Sequence, residues 1–305
     1  MYHYVREYDA ARPYFRFLDI ANFRRQLDMF AREHGFVTRA EWEAFVTRGK
    51  MPETPGKVVL TFDDAMACHY THVFPELRAR GLWGLFYVSS QPYTAGRMLD
   101  VHKVHLLCGT VEGTRLHARA RALIDETMIP HARRAAFRQA TYATQTNAPG
   151  VTDAKRLLNY FLDETRRGDV IDALGAEFGL SFDCDSFYVT PEQLGEMADG
   201  GMMIDAHTAS HPVMSTLDAH VQAREITECL ACLDTIRAAP ALRSYAHPYG
   251  GFHSFDAATL AALRDAGVDF AFNVEPRDIA AGDHAAALHF LPRHDCNLFA
   301  HGAAS

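Results

Sequence analysis

Two adjacent carboxylates, Asp63 and Asp64, end an apolar run, Val58-Val59-Leu60, that reads as a strand buried on both faces. Charge at the carboxyl end of such a strand is costly unless it answers to a cation or a catalytic task. The plainer structural alternative has Asp64 capping the helix that follows and Asp63 solvated. Farther along, His207 and His211 stand four residues apart after a second apolar run, Met202-Met203-Ile204-Asp205-Ala206. On a helical turn that spacing puts both imidazoles on one side, where with a strand-end carboxylate they can hold one divalent metal. A third stretch, Ser244 to Gly251, reads as a strand that runs through His247 into Pro248-Tyr249-Gly250-Gly251, a turn whose backbone N–H groups can face a ligand or simply connect strand to helix. A fourth, Leu288 to Leu291, runs into Pro292-Arg293-His294-Asp295. Polar groups delivered from the carboxyl ends of several strands are the site geometry of a (β/α) barrel.

The elements that must position these groups follow in order. Tyr2-His3-Tyr4-Val5 has the composition of a first strand. Ile20, Phe23, Leu27 and Phe30 recur at helical spacing up to Gly35, and Thr38 with Glu41 forms a capping box for a second helix through Phe45. Phe74 and Leu77 lie on a helix that stops near Gly81, and Leu82 to Val88 is another continuous apolar strand; strand, helix, strand at this spacing indicates parallel pairing. Thr190-Pro191-Glu192-Gln193 opens a helix before the Met202 strand, a long helix runs through Ile236, and a helix with Leu260 and Leu263 stops at Gly267 before a strand from Val268 to Phe272. Residues 95 to 190 break this rhythm: they are helix-rich and more basic, and read as an insertion or lid. Their arginines 115, 119, 121, 133, 134 and 138 form either a solvated helical face or a surface for a substrate phosphate.

Composition bounds the rest. At 305 residues with 48% hydrophobic content the chain can bury one large core, so a single domain over residues 1–305 with an insertion is expected. A formal charge of −8 argues against nucleic acid or an anionic membrane as partner. No run of about 18 apolar residues and no leader is visible, so a membrane span is not expected and the chain reads as cytoplasmic. The six cysteines are scattered, and Cys229-Leu-Ala-Cys232 falls within a helical pattern, where free thiols are expected rather than a redox or metal motif.

Thr61-Phe62-Asp63-Asp64, His207-Thr208-Ala209-Ser210-His211-Pro212 and Ala246-His247-Pro248-Tyr249-Gly250, in that order, resemble the motifs of the polysaccharide deacetylases, the NodB-type carbohydrate esterases. Tyr2-His3-Tyr4 and Leu291-Pro292-Arg293 are similar to the start and end of a bacterial subgroup with a helical insertion, linked to surface-glycan or nucleotide-sugar pathways. The resemblance implies a distorted (β/α) barrel binding one divalent metal, commonly Zn²⁺, with Co²⁺, Ni²⁺, Mn²⁺ or Fe²⁺ as alternatives, and hydrolysing the N-acetyl group of an amino sugar. By that likeness Asp64, His207 and His211 hold the metal and Asp63 is the general base. The developing oxyanion lies between the metal and the backbone N–H of Tyr249, and Pro248, His247 and His3 join Tyr249 on the substrate side.

Two departures from the family pattern matter. Many members have an arginine before the Pro-Tyr-Gly turn that orients the base. Ala246 and His247 stand there instead, and Arg293 is the substitute candidate. A late-strand histidine often serves as general acid; His294 and His3 are the candidates, His3 being equally readable as a core histidine bonded to backbone. Two rival readings remain, a non-haem iron oxygenase using the same two-histidine, one-carboxylate set, and a non-catalytic carbohydrate-binding protein that keeps the fold. The oligomeric state and the sugar's carrier are not legible in the chain.

Overall fold

The computed structural model describes residues 1–131, 133, 141–142 and 147–304. The chain divides into two compact units, one of Met1–Glu7, Phe17–Gly96 and Asp185–Ser305, the other of Tyr8–Arg16 and Arg97–Cys184.

The first unit is built on five parallel strands in sequential order: β3 (Thr61–Asp63), β4 (Leu85–Val88), β5 (Met203–Ala206), β6 (Ser244–Ala246) and β7 (Phe270–Phe272). β1 (Val5–Arg6) and β2 (Leu18–Asp19) form a separate parallel pair. Helices link successive strands of the sheet, among them Phe74–Ala79, Pro191–Asp199, Ala219–Ile236 and Ala257–Asp265, as parallel pairing requires. The alternation of a strand decides what each face buries. Phe62, Phe86, Ile204, Tyr245 and Ala271 pack with helix residues such as Leu77, Leu194, Ile226 and Leu263. The other face, with Leu85, Tyr87, Met203, Phe270 and Phe272, packs with Trp42 and Phe45 of the helix Arg39–Arg48. Each leucine, isoleucine, methionine or phenylalanine among them contributes roughly 1.5–3 kcal/mol by leaving water.

The outer strands are closed by single bridges. Tyr2 pairs with Phe62 beside β3, and Leu291 pairs with Phe272 beside β7. Between them the Met1 amine donates to the carbonyl of His294 at 2.6 Å, and Cys296 N–H donates to Met1 O at 3.1 Å. The gap from β7 back to β3 is thus spanned by the two ends of the unit, and the result is a distorted (β/α) barrel.

Both capping boxes form as the sequence indicates, at Thr38/Glu41 and Thr190/Gln193. Three strand assignments need correction. Val58 and Val59 are half-buried and precede β3, because Val58 bridges only Phe36 and has no partner on its other side within the sheet. The run Tyr2 to Val5 is one bridge at Tyr2 and a separate strand from Val5. Leu288 to Leu291 is no strand either: Phe290 N–H turns back to Ala287 O at 2.8 Å, which leaves Leu291 as the sole bridge.

The second unit is helical in its described residues, with Asp100–Thr110, Gly113–Leu123, Val151–Arg156 and Glu164–Glu177 around Leu107, Leu116, Leu158, Ile171 and Leu174. Its arginines answer to carboxylates or rings of the same unit. Arg119 pairs with Glu177 at 2.5 Å, Arg121 with Glu126 at 3.4 Å and Arg133 with Glu164 at 2.6 Å, while Arg115 lies over the Phe178 ring. Arg134 and Arg138 lie outside the described residues. The solvated, self-paired face is therefore the better description of these residues than a phosphate surface. No described helix is long and apolar enough to cross a membrane.

Candidate metal centre

The carboxyl ends of β3 and β5 bring Asp64, His207 and His211 together, all three buried. Asp64 Oδ1 lies 3.4 Å from His207 Nε2 and 3.5 Å from His211 Nε2, and the three donor atoms fall within 4.8 Å of one another. Those separations are long for hydrogen bonds between charged partners. They match the roughly 3.3–3.4 Å edge of a tetrahedron whose metal–ligand bonds are about 2.0–2.1 Å, so the donor set fits a small divalent ion with room for further ligands.

Local backbone conformation makes this meeting possible. In a regular strand Asp64 would face away from Asp63. Instead Asp64 and Ala65 take φ of 80° and 49°, and Asp64 N–H donates to Tyr87 O at 2.9 Å, turning the chain at once. The spacing of His207 and His211 works differently from the helical turn expected: residues 207 to 211 are a loop, with Thr208 and His211 in the left-handed region at φ 68° and 58°. Thr208 Oγ1 accepts from His211 N–H at 3.0 Å, and Glu225 accepts from Ser210 N–H and Oγ at 2.8 and 2.7 Å, so the strained loop is tied down on both sides. His207 Nδ1–H donates to Ala246 O at 2.7 Å, which leaves Nε2 as the atom facing Asp64, and burial lowers the imidazole's pKa so that the neutral, ligating form is favoured.

Beside this cluster stands a closed ion pair. Arg293 donates to both oxygens of Asp63, at 2.7 and 2.9 Å, and is itself held by Thr61 Oγ1 and Asn273 O, each at 3.2 Å, between the rings of Tyr87 and Phe272. Burial by itself would raise the Asp63 carboxyl, but the guanidinium outweighs it and holds the group at about 2. The geometry that lets a residue near the end of the chain reach β3 is the barrel closure through Leu291 and Met1.

Among the other candidates, His3 is brought near: its Nε2 is 3.9 Å from Asp64 Oδ2 and its side chain is 38% exposed, which sets aside the core-histidine reading. Its carbonyl, not its ring, accepts from His69 Nε2 at 2.6 Å. Tyr249, at φ 62°, places its ring 4.9 Å from that of His211, and Pro248 is buried in the same turn. Two candidates are not brought together with the cluster. His247 is stacked on Phe255 at 3.9 Å with Nε2 on His289 O, fully inside the core, so its expected place on the substrate side is corrected. His294 turns its Nε2 to Asp278 at 2.9 Å, a carboxylate 90% exposed, and its ring to Phe299. Asn273 and Glu225, which hold Arg293 and the loop of residues 207 to 211, act through contacts distant in sequence, so no local spacing marks them.

Three comparisons bear on identity. The sequence profile described as polysaccharide deacetylase matches residues 159–271, which include β5, both histidines and the Pro-Tyr-Gly turn but not Asp63 and Asp64. No curated protein matches the sequence. Among solved structures, a Streptococcus pyogenes deacetylase, PplD, in complex with acetate shares the fold with a TM-score of 0.57 at 16% identity, over 96% of this chain and 88% of that one. A de-N-acetylase from Aggregatibacter actinomycetemcomitans gives 0.51 at 15% identity over 96% and 92%, and the BpsB deacetylase domain from Bordetella bronchiseptica 0.50 at 15% over 88% and 83%. The chain thus carries a segment that matches the polysaccharide deacetylase profile, within a barrel fold that it shares with these deacetylases.

Proposed function

We propose that this protein is a metal-dependent N-deacetylase that hydrolyses the acetamide of an amino sugar in a glycan or sugar conjugate. The observation that carries the reading is the meeting of Asp64, His207 and His211 at ligand separations beside the Asp63–Arg293 pair. A divalent ion held by the three supplies Lewis-acid activation of the acetamide carbonyl, and two imidazoles with one carboxylate suit Zn²⁺.

The chain's own groups then divide the work. Asp63, ionised throughout the neutral range, accepts a proton as a water oxygen bonds to the acetamide carbon. Arg293 orients that carboxylate while leaving it lone pairs to accept with. The Tyr249 N–H is assigned to the carbonyl oxygen as it gains charge. When the carbon–nitrogen bond breaks, the nitrogen takes a proton; His3, near Asp64 and partly exposed, is the donor we assign in preference to His294, and the products are acetate and a free amine. The acetate in the streptococcal structure is consistent with such a product. An oxygenase reading of the same ligands leaves the Asp63–Arg293 pair without a task.

The test is acetate release from a panel of N-acetylated sugars, free, nucleotide-linked and oligomeric, by protein stripped with chelator and reloaded with Zn²⁺. Release that vanishes on stripping and returns on reloading supports the reading; metal-independent release, or none from any member, overturns it.

A further inference from the structure

His69 is a polar side chain in an apolar place. It opens the π-helical turn His69–Val73, a form of helix often found at functional sites, and it is fully buried. Its ring meets those of Phe62 and Phe86 edge-on, with centroids 5.7 and 5.8 Å away, a slot that an apolar side chain would fill at no cost in desolvation. Burial lowers the imidazole's pKa to about 4, so at neutral pH the ring is uncharged and carries one N–H. Its Nε2 lies 2.6 Å from His3 O, and because a carbonyl can only accept, the N–H is the one on Nε2. Nδ1 has no hydrogen-bond partner among the described residues. The polar contacts of the His69 ring thus come down to one atom of His3.

That atom sits where the chain changes partners. Tyr2 pairs with β3, its N–H donating to Thr61 O at 2.8 Å and its carbonyl accepting from Asp63 N–H at 3.0 Å. Two residues on, Tyr4 O accepts from Leu18 N–H at 2.8 Å and the chain enters β1 beside β2. His3 is the bend between the two ladders, and its carbonyl is held by His69 instead. A residue has only two soft backbone dihedrals, one toward each flanking peptide plane. The bond from Asp63 fixes the plane before His3 and the bond from His69 fixes the plane after it, so together they set the direction in which the His3 side chain leaves the backbone. That side chain is the partly exposed imidazole whose Nε2 stands 3.9 Å from Asp64 Oδ2. We propose that His69 is a positioning residue for proton delivery, which by holding the His3 carbonyl aims the His3 ring at the leaving nitrogen. The proposal rests on the deacetylase reading, in which the electron pair of the broken carbon–nitrogen bond goes to nitrogen and His3 supplies the proton that joins it, solvent then replacing that proton.

The test removes the donor with His69→Leu, with His69→Met as a second donorless variant should the first fail to fold, and keeps an N–H with His69→Gln. Two substrates isolate the step: the best N-acetylated sugar of the acetate-release panel, whose nitrogen must be protonated to leave, and 4-nitrophenyl acetate, whose phenolate leaves without a proton. His69→Leu should lower kcat on the sugar by about ten- to a hundredfold, with its KM and the ester rate held within about twofold, and His69→Gln should retain most of the sugar activity. In a His3→Gln background, His69→Leu should have no further effect on the sugar. Equal losses on both substrates, no loss, or an undiminished loss in the His3→Gln background overturns the positioning role. Placement is read without turnover, from crystal structures of the metal-free variants. His69→Leu should displace His3 Nε2 from its place beside Asp64 by about 1 Å or more, and His69→Gln should not. A ring that stays in place overturns the proposal. A ring that moves, in a protein whose native form releases acetate from no member of the panel, leaves the placement standing and sinks the deacetylase reading.

Discussion

The two compact units handle charge in opposite ways. In the second unit Arg119, Arg121 and Arg133 each reach a nearby carboxylate, and Arg115 covers an aromatic ring, mostly at partly exposed positions where such pairs add little stability. In the barrel unit the charges are buried and sorted into two neighbouring arrangements. Asp63 and Arg293 are locked at hydrogen-bond length, whereas Asp64, His207 and His211 are held about half an ångström farther apart, as ligands around an ion are. A high density of arginine is thus no guide to function here; buried donors held at non-bonding separation are.

That contrast can be broken from several directions, of which loss of the ion should be the most damaging. His207→Ala should abolish bound metal and reduce acetate release to background, read by metal analysis and turnover on one preparation. If the ion is held as proposed, native protein in metal at 100 times its dissociation constant should also gain about 2.7 kcal/mol of stability over the stripped form, and His207→Ala should gain none. Next comes the locked pair. Arg293→Met leaves Asp63 buried without its partner and should cost about 3–5 kcal/mol in chemical denaturation, with much of the loss recovered when Asp63→Asn is added. The same pair predicts a pH signature. The folded carboxyl lies at about 2, below its ordinary 3.8, so its contribution is fully present above roughly pH 4 and is lost as pH falls toward 2. Acid unfolding of the metal-free protein should show that loss, and Asp63→Asn should remove it. At the small end, Arg119→Ala in the second unit should leave both melting temperature and acetate release unchanged within measurement, since its ion pair with Glu177 is exposed.

The sequence showed the site more clearly than the way it is assembled. Paired aspartates after an apolar run and two nearby histidines announce chemistry because each would be expensive in a barrel core without it. The alternation of strands and helices was legible from apolar runs and capped helices, such as those opening at Thr38 and Thr190. What the sequence hid was backbone handedness. Among the described residues, five of the seven non-glycine positions with positive φ, namely Asp64, Ala65, Thr208, His211 and Tyr249, belong to the loops that carry the site. Propensity disfavours each of them there, so a helical turn was the natural reading of His207 and His211. Long-range closure was the other blind spot. Arg293 could be nominated for Asp63, but the path that brings it there runs through the Met1 contacts with His294 and Cys296, which no spacing encodes. The same limit misplaced His247, whose motif position points to substrate while its ring is committed to Phe255.

The central claim is a division of labour between adjacent carboxylates: Asp64 holds the ion and Asp63 moves the proton. The most direct test measures bound metal and acetate release on the same preparations of native protein and Asp63→Asn. The account predicts about one divalent ion in both, with turnover lower in the variant by roughly two to four orders of magnitude. A variant that turns over normally, or that loses its metal along with its activity, contradicts it.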